Sequence, residues 1–295
     1  MKTILNVSFL LLSVLIFSQT NRFFYDYKFV PDSTDKAKVM NAVMLLDIDK
    51  NGSKYYSREK FVSDSTMKAD ITKQMQGGFG NVNIKRSNKP GIIYTSVTKS
   101  YPDYKVLLSE KIGQTGYKIV EDQKPEWKIL ADKQKIGEYN TQKATTSFGG
   151  RDWIAWFSID IPFQDGPYKF YGLPGLIVKL EDKTGSHIMT LVGNKKTEAS
   201  TVEELKLGNV ITFGIDDKDI EVSKKQFKKV WKDYLADPTK DMKQRMSTLP
   251  AGAVVKMKNA DGRDIDMNEM YKNMEKNARE GFKKNNNPIE PELFK

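Results

Sequence analysis

Residues 153–180 read Trp153-Ile154-Ala155-Trp156-Phe157-Ser158-Ile159-Asp160-Ile161-Pro162-Phe163-Gln164-Asp165-Gly166-Pro167-Tyr168-Lys169-Phe170-Tyr171-Gly172-Leu173-Pro174-Gly175-Leu176-Ile177-Val178-Lys179-Leu180. The odd positions from Trp153 to Phe163 are all apolar, while Asp152, Ser158, Asp160 and Gln164 fall on even ones, the period of a half-buried strand. Gly166-Pro167 is expected to stop pairing. Gly172-Leu173-Pro174-Gly175 then restarts the chain, because Pro174 has no N–H and pushes Leu173 toward extended geometry, and Gly175 is expected to take the positive φ of a Pro-Gly turn. Beyond the turn, Leu176, Val178 and Leu180 share one face of a second strand, with Lys179 and Glu181 on the other.

These strands carry apolar residues on both faces. Ile154 and Trp156 stand opposite Trp153, Ala155 and Phe157, and Ile188 and Val192 stand opposite Met189 and Leu191. A sheet apolar on both sides must be covered twice or curl around something. The bland expectation is that C-terminal helices cover the second face; the sharper one is a curved, incompletely closed sheet whose concave side forms an apolar groove under those helices. On the sharper reading Trp156, Ile154 and Ile188 are the ligand-binding candidates and Trp153 is core.

Outward from this stretch, residues 23–30 and 39–48 read as strands, the second turning at Asn51-Gly52 into a strand over 53–61. Asp47, Asp49, Asn51 and Gly52 imitate the start of a calcium loop, but the twelfth position is Arg58 where a bidentate glutamate is required, so a hairpin turn is preferred. A helix is expected over 65–76 and a flexible glycine loop over 77–81. Short strands follow at 92–98, 105–112, 117–121, 127–130 and 138–148, and again at 186–194, with linkers too short for helical crossovers, which makes neighbours antiparallel. At Ser223, an expected N-cap, the period changes to a helical one through Phe227, Val230 and Trp231. Pro238 ends that helix, a further turn runs through Met242 and Met246, Asp261-Gly262 marks a turn, and Met267, Met270, Tyr271, Met274 and Ala278 stripe a last helix. The fold class is therefore mainly β with C-terminal helices, α+β, an antiparallel meander forming a curved sheet or incomplete barrel covered by helices. The expected organisation is a signal peptide over 1–18, one β-rich domain over 19–284 with a helical annex from about 223, and a polar tail over 285–295.

Of the 295 residues, 48 are Lys or Arg and 38 Asp or Glu, a formal charge of +10, of which the signal segment removes only Lys2. The charges are interspersed and no aromatic-interleaved basic motif stands out, which argues against nucleic acid and leaves weak attraction to acidic surfaces. Lys2, the apolar run over 4–17 and the small Ser18 follow the export pattern, giving a periplasmic or extracellular location and no membrane span after removal. With no cysteine, lipid attachment, disulfides and thiol chemistry are excluded. His187 is the single histidine, so no usual zinc site is expected, and no cofactor or metal is implied. Asp160 and Asp165 near Pro162 are the one formal carboxylate pair.

The six residues Gly172, Leu173, Pro174, Gly175, Leu176 and Ile177 resemble the hallmark of the GLPGLI family, secreted or periplasmic bacterial proteins of unassigned activity. The resemblance extends through Lys143-Ala144-Thr145, Gly150-Arg151, Trp153, Ala155-Trp156-Phe157-Ser158, Ile161-Pro162 and Gly166-Pro167. It continues less densely in 53–57 and in Asn287-Pro288-Ile289-Glu290. A cysteine frequent in that family is replaced near Thr141, so no thiol role transfers. The expected function is a non-enzymatic binding or carrier protein for an apolar ligand or an envelope protein segment. A structural partner in an envelope assembly is the alternative, and a carboxylate-dependent hydrolase the third.

Overall fold

The computed structural model describes residues 19–76, 93–113, 115–198, 219–248 and 266–295; the expected signal segment, the expected glycine loop over 77–81 and the turn expected at Asp261-Gly262 lie outside them. The strands are β1 (Gln19–Phe29), β2 (Met40–Ile48), β3 (Gly52–Ser57), β4 (Ser96–Ser100), β5 (Lys105–Ile112), β6 (Thr115–Val120), β7 (Lys128–Ile136), β8 (Tyr139–Phe148), β9 (Arg151–Ser158), β10 (Leu176–Asp182), β11 (His187–Glu198) and β12 (Ile220–Ser223). The helices are α1 (Arg58–Gln76), α2 (Lys224–Ala236), α3 (Lys240–Ser247) and α4 (Met267–Lys284). Among the described residues, no helix is long and apolar enough to cross a membrane.

All twelve strands form one open sheet in the order β12-β6-β5-β4-β3-β2-β1-β11-β10-β9-β8-β7. The chain walks outward from β1 to β6, jumps to the far edge at β7, and walks back through β11 to pair with β1 over Gln19–Phe29. Every pairing is antiparallel except β12 with β6, which makes the sheet mixed rather than a pure meander. The jump dictates curvature. Ten strand steps separate β6 from β7, roughly 48 Å in a flat sheet. The eight residue steps from Val120 to Lys128 reach at most about 29 Å. The sheet must therefore curl, without closing, so that β6 and β7 approach one another.

The concave side is filled by the chain itself. After Ser158 the backbone leaves the sheet, and residues 159–175 fold back over the inner face before β10 resumes pairing with β9. This corrects the expectation that the alternation from Trp153 continues as strand to Phe163: Trp153, Ala155 and Phe157 are buried on the inner face, whereas Ile159 is 70% exposed and Ile161 and Phe163 pack against the core from the loop. Pro162 cannot donate to a ladder, and the polar groups around it are used in the return instead. Leu176 N–H bonds Ile161 O at 3.0 Å, Ile177 N–H bonds Asp165 O at 3.0 Å and Gly172 N–H bonds Gln164 O at 3.0 Å.

The strand expected over 53–61 stops at Ser57. Ser57 Oγ accepts the Lys60 N–H at 3.3 Å, a capping contact that starts α1 at Arg58, seven residues before the expected start at 65 (65 − 58). Helix α1 lies on the outer face, where Leu45 and Ile71 are buried and the Arg22 guanidinium sits 5.2 Å from the Phe61 ring centroid. The C-terminal helices do not cover that face as a layer. Helix α2, capped by a Ser223–Gln226 box, packs at the β6 edge, with Phe227 against Tyr117, and Phe282 of α4 stacks edge-on to Trp231 and Tyr234. The segment expected as a polar tail docks: Leu293 is buried, and Phe294 meets Phe227 and Trp231 edge-on.

At the hairpin between β2 and β3, Asp49 Oδ1 accepts the N–H groups of Asn51 and Gly52 at 2.7 and 3.1 Å, a turn geometry. Asp47 is engaged separately, with Arg22 Nε at 2.7 Å and Tyr56 Oη at 2.7 Å.

Candidate functional site

Two buried lysines anchor the loop over 159–175. Lys99, on β4, alternates inward with Val97 and points into the curl, its Nζ 2.5 Å from Asp165 Oδ1 with both side chains fully buried. The same nitrogen donates to the carbonyls of Gly166 at 2.8 Å, Tyr168 at 2.9 Å and Phe170 at 3.4 Å. Asp165 Oδ1 also accepts the Gly166 N–H at 2.6 Å, and Oδ2 accepts the Tyr101 hydroxyl. Burial lowers the Lys99 pKa, opposed by the Asp165 charge, and burial raises that of the Tyr101 hydroxyl, which stays a donor.

Lys169 is the second anchor. Its Nζ lies 2.8 Å from Glu121 Oε2 and 2.5 Å from Glu290 Oε1, and Lys224 completes an alternating chain of charges by bonding Glu121. Tyr168, at φ 55°, places its hydroxyl 2.5 Å from the same Glu290 oxygen. Above this network a cleft of about 370 Å³ opens between Asp122, Gly149, Lys224, Lys228, Glu290 and Leu293. Arg151 holds the C-terminal segment by donating to Pro288 O at 2.7 Å and to Asn287 Oδ1 at 2.6 Å, and it pairs with Asp182 at 3.1 Å. No group of three or more metal-ligating side chains converges among the described residues.

The motif residues form one unit. Trp153 donates Nε1–H to Phe148 O at 3.0 Å and packs on Phe170; Leu173, Leu176 and Ile177 are buried. A side chain at Gly166 would strike Ile177 at 2.7 Å. Gly172 carries φ 91°, a left-handed conformation. Gly175 takes the expected positive φ, 156°, and glycine is required there also because a Cβ would stand 2.1 Å from Ser158 O at the end of β9.

The residues expected to bind ligand are brought together, but on the convex face and not in the concave groove expected for them, because the inner face is filled by the chain itself. Ile154 is paired with Glu181, which is paired with Ile188, and Trp156 is paired with both Lys143 and Lys179. The Lys143 ammonium stands 5.7 Å from the Trp156 ring centroid, and Lys179 pairs with Glu181 at 2.8 Å. Thus Trp156 lies outside the curl, with β1, β11 and β10 between its strand and the β2–β3 part of the outer face that α1 covers. Asp160 and Asp165 do not share a site: the first is exposed and the second is sealed on Lys99. Sequence reasoning missed Lys99, Lys169, Glu121 and Glu290. The available signal was a lysine at an inward position, Lys99 two residues from Val97.

A family model described as "Protein of unknown function (Porph_ging)" matches residues 149–179. The matched segment is β9, the inner loop and the start of β10, the unit that Lys99 and Lys169 pin down. No curated protein matches the chain. Among solved structures, PNGF-II in its P21 and C2 space groups is similar at a TM-score of 0.45 and 16% identity; 72% of this chain is covered. The chain spans about a third of the PNGF-II chain's length, 33% in the first form and 32% in the second.

Proposed function

We propose that this chain is a GLPGLI-type, exported, non-enzymatic binding protein of the cell envelope. Its site is the convex face around Trp156, Ile154 and Ile188, which no described helix covers, and its partner is an extended, acidic segment of another envelope protein that brings apolar side chains to that face. The observation that carries this reading is the filled interior. Phe170, Leu173, Leu176 and Ile177 occupy the concave side with at most 1% exposure, so an apolar small molecule would have to displace the chain's own loop. That narrows the carrier reading from small ligand to protein segment. The family motif supports the class, and the charge-apolar-small order of residues 1–18 supports export.

The chemistry of the face favours an acidic partner. Two cross-strand rows run Lys128-Thr145-Ile154-Glu181-Ile188-Lys28 and Lys143-Trp156-Lys179-Thr190-Asp26. Glu181 pairs with Lys179 and Asp26 lies 3.8 Å from Lys28, which leaves Lys128 and Lys143 as the excess charge beside the half-buried tryptophan. Such a surface offers an aromatic anchor within a basic rim, a combination suited to specificity and to fast, salt-sensitive association.

The test uses two synthetic nonapeptides of alternating residues, Glu with Val and Lys with Val, titrated against the protein by fluorescence anisotropy. The acidic peptide should bind, weaken as salt rises, and lose about tenfold or more on Lys143→Glu or Trp156→Ala. Equal binding of both peptides, or indifference to both substitutions, would contradict the assignment.

A further inference from the structure

The Lys99–Asp165 contact has the makings of a covalent cross-link. Both side chains are completely buried, the nitrogen sits 2.5 Å from a carboxylate oxygen, and the two residues come from β4 and from the loop that fills the curl. In so dry a site the charged pair loses much of the solvation that sustains it in water, and proton transfer to a neutral amine and a neutral carboxylic acid is the available alternative. Burial lowers the Lys99 pKa accordingly, against the opposing pull of Asp165.

The surroundings accommodate the neutral amine as well as the ammonium. An amine has two N–H donors and one lone pair. The carbonyls of Gly166 and Tyr168, at 2.8 and 2.9 Å, take the two donors, while the Phe170 carbonyl at 3.4 Å is the marginal contact. The lone pair is then left for the carboxyl group alongside. That carboxyl is polarised from both ends, Oδ1 by the Gly166 N–H at 2.6 Å and Oδ2 by the Tyr101 hydroxyl. A desolvated lysine, an oriented electrophile and two fixed donors are the elements of nucleophilic acyl chemistry. The Lys169 cluster lacks this balance, because its ammonium lies between two carboxylates and is compensated further by Lys224.

We propose that Lys99 and Asp165 condense into an intramolecular isopeptide bond that fastens the inner loop to β4. Lys99 Nζ attacks Asp165 Cγ, forming the C–N bond. The C–O bond of the protonated carboxyl breaks, and its oxygen leaves as water carrying the acid proton and one proton from Nζ. No oxidant or reductant enters, and the product is a neutral amide retaining one N–H for a loop carbonyl. In a chain without cysteine, this bond supplies the covalent staple that disulfides cannot.

Intact-protein mass spectrometry under denaturing conditions tests it on the full chain. The wild type should be lighter by one water, judged against Lys99→Met and Asp165→Ala, whose masses should differ from it by the substitution plus that water. A tryptic digest should yield a branched peptide joining Lys99 to Asp165, with no cleavage after Lys99. A wild-type mass with no water missing, or linear peptides alone, overturns the proposal, and because the wild type decides, a poorly folding variant does not obscure the result.

Discussion

Glu290 lies in the C-terminal segment and Lys169 in the middle of the inner loop, yet their side chains meet at 2.5 Å with both groups buried. This ties the last residues of the chain to the stretch that fills the curl. Arg151 reinforces the tie from β9 by holding Asn287 and Pro288. The C-terminal segment is thus a structural strap. Removing one partner of a buried ion pair costs about 3–5 kcal/mol, because the other charge is left uncompensated. Glu290→Ala should lose stability in that range by denaturant unfolding, and Glu292→Ala, whose residue lies at the exposed rim of the strap, should lose far less.

Gly175→Val should be severe. A Cβ at that position would overlap the Ser158 carbonyl at 2.1 Å, and backbone on both sides prevents an easy retreat. A loss of roughly 3 kcal/mol or more is expected, in the class of overpacked core changes. Lys179→Ala, on the convex face, serves as the control. Thermal unfolding of the two variants should separate them by several degrees, and equal midpoints would contradict the close crossing of β9 and β10.

The tryptophans should also differ. Trp153→Ala removes a side chain 1% exposed and packed on Phe170 and should cost about 3–5 kcal/mol. Trp156→Ala, on the convex face beside Lys143, should cost well under half of that while weakening binding of the acidic peptide about tenfold or more. Paired denaturant titrations check the first statement, and anisotropy the second.

Stability should fall on acidification through His187. The ring is buried, Tyr27 Oη lies 2.8 Å from Nδ1, and burial, with Arg151 adding to it, lowers its pKa from 6.5 to about 4. The unfolded chain therefore binds the proton more readily between these values. The contribution is fully present above about pH 6.5 and declines as pH falls toward 4, by roughly 3 kcal/mol in all. His187→Gln should flatten the dependence of unfolding free energy on pH within that window, and an unchanged slope would contradict the assignment.

The alternation of Trp153, Ala155 and Phe157 made β9 legible, and Ser223 the start of α2; β10 was legible as an apolar run, but a bulge between Ile177 and Lys179 sets Ile177 opposite Phe157 and Leu180 opposite Ala155, so Leu176, Val178 and Leu180 do not share one alternating face. The end of β9 was not, because Ile159, Ile161 and Phe163 prolong the same period into a loop that packs on the core and is therefore apolar for its own reason. The start of α1 was hidden by Tyr55, Tyr56 and Phe61, which look like one strand although Ser57 caps a helix between them. The buried charges were beyond reach for a different reason. Lys99 and Asp165 are 66 positions apart (165 − 99), Lys169 and Glu290 121 apart (290 − 169), and only the curl of the sheet makes either pair neighbours. Parity set Trp156 and Ile154 opposite Trp153, but it put them in the concave groove when they stand on the convex face, because which face is filled depended on the path of the 159–175 loop.

The central claim is that this loop is permanent core and the convex face is the working surface. Native-state hydrogen exchange measures it directly, with and without oleate as an apolar probe. The amides of Gly172, Leu176 and Ile177, each bonded to a loop carbonyl, should exchange as slowly as those of β1 and β11 and should not respond to oleate. Exchange of these amides at surface-loop rates, or a loss of their protection when oleate is added, would mean that the interior opens to an apolar ligand and that the convex-face account is wrong.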